Sequence, residues 1–74
     1  MSRLIRMDST GHSTLAEWTA GDQAAYDAAC AAFQRELASG HIGVVSDGPG
    51  HATQVRELPL DADLVVMRRP IAGG

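Results

Sequence analysis

Two common residue types are missing from this chain of 74 residues, which contains no lysine and no asparagine. All six basic residues are arginines. Such absences are typical of the codon usage of a GC-rich genome. They also exclude one chemistry, because a chain without lysine cannot accept an isopeptide bond on a lysine side chain. It therefore cannot build lysine-linked chains of itself.

Cysteine is nearly absent as well. Cys30 is the only thiol, so an internal disulfide is excluded, and a single thiol fits a reducing cytoplasm. No segment approaches the roughly 18 consecutive apolar residues that a membrane-spanning helix needs. No apolar segment follows the N-terminal arginines as it would in a signal peptide. We therefore expect a cytoplasmic protein that does not bind a membrane.

Clustered positive charge is also missing. The net charge is −3, and the only adjacent basic residues are Arg68 and Arg69. Proteins that bind nucleic acid usually carry a positive face, so we expect no nucleic-acid partner. A chain of this length makes one small domain, which buries only about 60% of its unfolded surface. We expect that domain over 1–70, followed by a flexible di-glycine tail over 71–74.

The residue pattern predicts five strands and one helix. Strands are predicted over 3–7, 12–18, 41–46, 51–58 and 64–69, and a helix over 23–39, with turn clusters over 8–11 and 47–50. Either Thr19 or Asp22 fits the N-cap of the helix, and Gly40 fits the glycine that ends it. The apolar stripe of the helix consists of Tyr26, Ala29, Cys30, Phe33 and Leu37.

Alternation assigns faces to some strands. In the first strand Ile5 and Met7 share one face and Arg6 lies on the other. In the second strand Thr14, Ala16 and Trp18 are expected to share a face. The first two strands are predicted to form a hairpin, and the fourth to lie near an edge.

The apolar run over 64–67 indicates a last strand that is central in the sheet or covered on both faces. The order strand, strand, helix and three strands predicts an α+β domain with one helix packed across one mixed sheet. We expect the last strand to be parallel to the first. This is the β-grasp arrangement of ubiquitin, ββαβββ along the chain. An unrelated α+β sandwich stays open, because the order of elements does not fix the topology.

The chain ends on Gly73-Gly74 directly after the last predicted strand. Glycine has no Cβ atom, so the backbone can approach a partner closely and adopt any φ. A di-glycine end arises by chance in roughly one chain in a hundred of this glycine content. It is a hint that needs a matching fold.

The C-terminal residues resemble those of ubiquitin-like sulfur carrier proteins of the molybdopterin and thiamine pathways. The matching features are the acidic turn over 61–63, the apolar strand over 64–67, and the end over 70–74. Arg68 and Arg69 depart from that family, which usually has apolar residues or proline there. The chain is also similar to small actinobacterial proteins with a comparable turn over 8–12 and a Pro-x-Ala-Gly-Gly end, a resemblance that implies no function.

The resemblance to sulfur carriers implies a mechanism that lies mostly in partner proteins. An ATP-dependent activating enzyme would adenylate the Gly74 carboxylate, sulfur would replace the leaving group, and the thiocarboxylate would pass to a sulfur-acceptor protein. The reacting end would be Gly73 and Gly74, and the partner-binding residues Arg68, Arg69, Pro70, Ile71 and Ala72. The chain itself would be neither an enzyme nor a cofactor-binding protein. The alternative is a non-catalytic interaction module with an inert tail.

Other candidate sites have weaker patterns. His12, His41 and His51 lack the spacing of a zinc site and fall at turns or helix ends, where exposed histidines are common. Cys30 lies on the apolar stripe, which favours a core position over a reactive thiol. We therefore expect no metal site and no catalytic residues. Trp18 fits either a partner anchor or, better, a residue that closes one end of the core.

Overall fold

The computed structural model of the protein describes residues 1–8, 10–48 and 50–70. Within these residues the elements follow along the chain as β1 (Ser2–Asp8), β2 (Gly11–Trp18), α1 (Gln23–Ala38), β3 (Ile42–Gly48), β4 (His51–Val55) and β5 (Leu64–Arg68). The strands form one mixed sheet in the spatial order β2-β1-β5-β3-β4, which differs from their order along the chain. The helix packs on one face of this sheet. One helix on a mixed five-stranded sheet confirms the predicted α+β architecture.

The last strand occupies the centre of the sheet, as predicted. It pairs in parallel with β1, where Leu4 faces Val65. It also pairs antiparallel with β3, where Val45 faces Val65. The hairpins β1–β2 and β3–β4 lie on either side of it, and β4 forms an edge. The predictions of a first hairpin, a parallel last strand and an edge position for β4 are therefore confirmed.

Both ends of the helix are fixed by local hydrogen bonds. The Asp22 carboxylate accepts a hydrogen bond from the Ala25 backbone N–H at 3.0 Å, so Asp22 rather than Thr19 is the N-cap. At the other end Gly40 has a φ of +94°. Its N–H donates to the Leu37 carbonyl, and the next N–H donates to the Glu36 carbonyl. This is the Schellman arrangement that favours glycine at the predicted position.

The core lies between the helix and the sheet. Of the predicted helical stripe, Ala29 and Phe33 are fully buried, and the other three members are partly buried against them. Ala32 is also buried, although the stripe did not include it. The remaining buried core residues are Leu4, Trp18, Leu58, Val65 and Met67. Each of these comes from a segment of the chain outside the helix.

A β-bulge changes the faces of β2. Leu4 pairs with Ala16, whereas Ile5 pairs with Thr14, which leaves Leu15 as an extra residue between them. Thr14 and Ala16 therefore face opposite sides of the sheet, and the prediction that they share a face is wrong. Leu15 uses the extra position to pack against the core. The bulge could not be read from the alternation, which contains no signal for it.

The largest differences from the predicted strand boundaries are at the ends of β3 and β4. β3 extends to Gly48, into the predicted turn, whose residue 49 lies outside the described residues. β4 ends at Val55 instead of 58, and the chain then bends so that Leu58 is buried in the core. β5 is central but not covered on both faces, because the Leu64 side chain is 44% exposed.

Candidate functional site

The candidate site lies at the end of the sheet where the chain leaves β5, which ends at Arg68. The pairing of Arg6 with Met67 brings Met7 of β1 beside Arg68 of β5. On the other side of β5, Ile42 of β3 pairs with Arg68. The C-terminal ends of two parallel strands and the start of an antiparallel strand thus meet at one end of the sheet. The predicted partner-binding arginines lie at this junction.

An open groove of about 930 Å³ lies at this junction. Its lining residues are Met7, Asp8, Thr10, His41, Val44, Val66, Arg68 and Arg69. The apolar part of the groove consists of Met7 and of Val44 and Val66, which are paired across β3 and β5. The charged residues come from the ends of β1 and β5. A surface with apolar side chains beside charged ones can bind a segment of a partner chain.

The groove continues into the face of the sheet that the helix does not cover. Six apolar residues lie on this open sheet face: Ile5, Met7, Ile42, Val44, Leu64 and Val66. Their neighbours on β5, Val65 and Met67, point the other way and are fully buried. The Met7 side chain is 51% exposed, so part of the apolar surface meets solvent. Leu64 is also exposed, Ile42, Val44 and Val66 are half-buried, and Ile5 is buried. Apolar surface that is partly exposed in this way can serve as an interaction site.

The groove has two free positive charges. Arg68 and Arg69 are exposed, and neither forms an ion pair within the described residues. By contrast, Arg3 lies 3.9 Å from the Glu17 carboxylate, and Arg6 lies 3.5 Å from that of Glu36. The two arginines at the end of β5 are therefore available to an acidic partner.

One carboxylate also lies at the groove. The Thr10 hydroxyl and the Thr10 backbone N–H donate to Asp8 Oδ1 at 2.6 and 2.9 Å. These hydrogen bonds lower the pKa of the Asp8 carboxyl, the hydroxyl contributing most. Asp8 is therefore ionised near neutral pH. Its negative charge disfavours an acidic group of a partner at the Asp8 side of the groove.

His41 is less exposed than its position after the helix predicts. It is half-buried, not exposed, and its buried Nδ1 atom has no hydrogen-bond partner within the described residues. Buried polar atoms are usually paired, so this atom can still accept or donate one hydrogen bond. His12 and His51 are exposed, as expected. Sequence alone gave no signal for His41, because its place at the groove depends on the pairing of β3 with β5.

The structure brings together only part of the predicted site. Arg68 and Arg69 line the groove, and Pro70 follows them and is exposed. The predicted partner-binding residues Ile71 and Ala72, and the predicted reacting end, Gly73 and Gly74, lie outside the described residues. The groove residues on β1 and β3 were missed. They lie far from the chain end in sequence and reach it only through strand pairing.

Trp18, the aromatic residue considered as a partner anchor, belongs to the core. The Trp18 side chain is buried, and its Nε1 donates to the Leu60 carbonyl at 3.1 Å. Its ring contacts that of Tyr26 edge to face, with centroids 6.1 Å apart. The Tyr26 hydroxyl in turn donates to the Leu58 carbonyl. A side-chain hydrogen bond with Cys30 raises the pKa of the Tyr26 hydroxyl, and partial burial raises it further. These contacts favour the core position for Trp18 over the anchor.

No helix in the described part of the chain is long and apolar enough to cross a membrane. No group of three or more histidine, cysteine, aspartate or glutamate residues among residues 1–8, 10–48 and 50–70 could hold a metal ion.

Comparison with models of protein families, with curated proteins and with solved structures finds no significant match to this chain.

Proposed function

We propose that this protein is a ubiquitin-like carrier of the β-grasp type, which works through the carboxylate of Gly74. The observation that supports this function is the position of β5. It is the central strand, it is parallel to β1, and it ends at Arg68, shortly before the di-glycine end. Arg68 and Arg69 line an apolar and charged groove at the end of this strand. A partner bound in this groove would contact the chain five or six residues before Gly74.

The chemistry we propose is that of a sulfur carrier. An ATP-dependent activating enzyme transfers AMP to the Gly74 carboxylate and releases pyrophosphate. A persulfide then attacks the acyl carbon and expels AMP, and a second thiol reduces the resulting acyl disulfide to leave a thiocarboxylate. The thiocarboxylate passes its sulfur to an acceptor protein. The chain itself is not an enzyme in this scheme, and the partners supply all catalytic groups.

Particular residues would assist this reaction without catalysing it. Gly73 and Gly74 lack Cβ atoms, which suits a narrow active-site channel. Pro70 restricts the backbone where it leaves the sheet. Arg68 and Arg69 would bind acidic residues beside the active site of the partner. The single thiol, Cys30, fits the cytoplasm as the compartment of the reaction.

The decisive experiment is an intact-mass measurement on protein isolated from its own host. The carrier function predicts a fraction whose mass reflects the exchange of one oxygen for sulfur, or an adduct that maps to Gly74. A variant without Gly73 and Gly74 should show neither. An unmodified terminus in the host, together with full function of the truncated variant, would contradict the carrier function.

A double variant tests the role of the arginines. Arg68→Glu/Arg69→Glu should reduce the modified fraction strongly, because it replaces the positive charge that we propose to bind the activating enzyme. Arg56→Glu is the matched control, since Arg56 is also exposed but lies outside the groove. Equal loss in both variants would point to a general charge effect instead of docking at the groove.

The open sheet face supports a second function, a non-catalytic interaction module with an inert tail. In this case the apolar groove and its arginines bind an acidic, partly apolar segment of another protein. The two functions differ in one readout. An interaction module should still bind its partner when Gly73 and Gly74 are removed. It should lose the partner in Val44→Asp, because this variant places a polar, negatively charged side chain in the groove that binds the acidic segment.

A further inference from the structure

The open sheet face is crossed by one row of paired residues that carries no charged side chain. Ile5 pairs with Val66 across β1 and β5, and Val66 pairs with Val44 across β5 and β3. Thr14 of β2 and Gln54 of β4 continue this central row to the two edges of the sheet. The central row divides the face into two halves, one towards the groove and one towards the start of β5.

The two ends of β5 carry opposite charges. Arg68 and Arg69 lie at the end of the strand, in the groove. Asp61 and Asp63 precede the first residue of the strand, Leu64, and both are exposed. None of these four charged residues forms an ion pair within the described part of the chain. The open sheet face is therefore apolar in the middle, with two free positive charges at one end of β5 and two free negative charges at the other.

We propose that two copies of the chain associate through their open sheet faces, related by a two-fold axis that runs over the central row. Charge complementarity selects this occupant. The rotation exchanges the two halves of the face, so the arginines at the end of β5 lie opposite the aspartates at the start of β5 in the other copy. Symmetry forms this contact twice. A second copy thus matches both ends of the strand, whereas an acidic segment would match only the arginines.

The charges of β1 fit the same rotation. Arg3 lies at the acidic end of β5, because it pairs with Leu64. Asp8 lies at the basic end, where it lines the groove. The rotation places Arg3 of one copy near Asp8 of the other. Along both central strands, opposite charges therefore face each other at each end of the interface.

The association would also cover exposed apolar surface. The side chains of Met7 and Leu64 are 51% and 44% exposed, and they are two of the four exposed large apolar residues in the described part of the chain. They lie on opposite sides of the central row, so the rotation brings Met7 near Arg3 and Leu64 near Arg68 of the other copy. Long arginine side chains cover apolar neighbours with their methylene groups.

This interface does not rest on the proposed chemistry at Gly74. It shares Arg68 and Arg69 with the groove, so a partner protein bound there would compete with the second copy. Self-association is measured on the purified protein alone. Its failure would therefore leave the carrier function untouched.

Charge reversal at each end of β5 tests the interface. Arg68→Glu/Arg69→Glu makes both ends of the strand acidic, and Asp61→Arg/Asp63→Arg makes both ends basic. Each variant would place like charges opposite each other at both contacts of its own dimer. A mixture of the two variants would restore opposite charges at both contacts, because every acidic end then meets a basic end.

The experiment is sedimentation equilibrium of the full chain from micromolar to millimolar concentration. We expect the wild-type protein to be monomeric at the lowest concentrations and dimeric at the highest. We expect each double variant to raise the dissociation constant by about tenfold or more, and an equimolar mixture to recover the dimer. Asp27→Arg and Arg35→Glu are the matched controls and should dimerise normally, because they reverse exposed charges on the helix, which covers the other side of the sheet. Circular dichroism checks that every variant is folded.

Three results would overturn the proposal. The first is a wild-type protein that stays monomeric up to millimolar concentration, and the second is a dimer that both charge reversals leave intact. The third is loss of the dimer in both variants without recovery in their mixture, which would require a different arrangement of the two copies. NMR gives an independent readout. Amide signals of Ile5, Val44 and Val66 should shift as the protein concentration rises, and shifts confined to the helix would also contradict the proposal.

Discussion

Phe33 of the helix lies directly against Gly43 of β3. A Cβ atom at residue 43 would lie 2.5 Å from Cε1 of the Phe33 ring, closer than real side chains approach each other. Gly43 is thus required by the way the helix packs on the sheet, since its φ is not in the left-handed region. The single phenylalanine of the chain is fully buried at this contact.

This contact predicts that Gly43→Ala destabilises the protein by about 1–3 kcal/mol, the usual cost of overpacking a core. Urea denaturation followed by circular dichroism measures the change. Gly21→Ala is the matched control, because a Cβ atom there meets no atom within 4 Å. Phe33→Leu replaces the ring with a smaller side chain. We therefore expect Gly43→Ala to lower the free energy of unfolding less in the Phe33→Leu protein than in the wild type. Equal costs at residues 43 and 21 would contradict the contact.

The two faces of β5 predict unequal costs for the same substitution. Val65→Thr buries a hydroxyl group in the core and should cost about 1–3 kcal/mol. Val66→Thr faces the open side of the sheet and should cost less than about 0.5 kcal/mol. Thermal and urea unfolding of both variants measure the difference. Similar costs would mean that the open sheet face is covered in solution.

The helix cap gives a third prediction. Asp22→Ala removes the acceptor for the Ala25 N–H and should cost about 1 kcal/mol, whereas Asp22→Asn keeps an oxygen acceptor and should cost much less. Chemical denaturation measures both. If Asp22→Asn and Asp22→Ala lose the same stability, the negative charge matters and the hydrogen bond does not.

The turn between β1 and β2 predicts a pH effect. Hydrogen bonds from Thr10 lower the pKa of Asp8 in the folded state, so the stabilisation they bring is present above the ordinary aspartate pKa. It is lost as the pH falls through the lowered folded-state value. Thr10→Val removes the hydroxyl donor, and we expect the Asp8 pKa to rise towards 3.8, its usual value. Carboxyl carbon chemical shifts in an NMR titration measure it, with Thr19→Val as the control that should leave Asp8 unchanged.

Local signals in the sequence were sufficient for the helix. Asp22 and Gly40 mark its ends because they satisfy backbone groups within a few residues of themselves. The stripe through Ala29 and Phe33 follows from the helical period alone. Local alternation also predicted the strands. The observed strand ends differ from the predicted ones where pairing with a neighbouring strand or packing in the core determines the last residue. In β4, alternation predicts a strand that continues to Leu58. The observed strand ends at Val55, and the chain then bends and Leu58 is buried in the core.

The candidate site was only partly predictable. Arg68 and Arg69 stand out in the sequence as a basic pair near a di-glycine end. Val44 and His41, which line the same groove, carry no sequence signal for it, because they reach β5 only through a pairing between strands that are distant along the chain. Loop closure and pairing over such distances depend on the whole fold, which local residue patterns do not encode.

The sequence by itself determined which elements form, their order, the glycine that ends the helix and most of its buried stripe, because each of these depends on neighbours within a few residues. Only the tertiary structure decided that β5 also pairs with β3, that a bulge turns Thr14 away from Ala16, and that the groove opens beside Arg68. These features depend on which distant backbone groups pair and which side chains then share a core, and that choice is made by the fold as a whole.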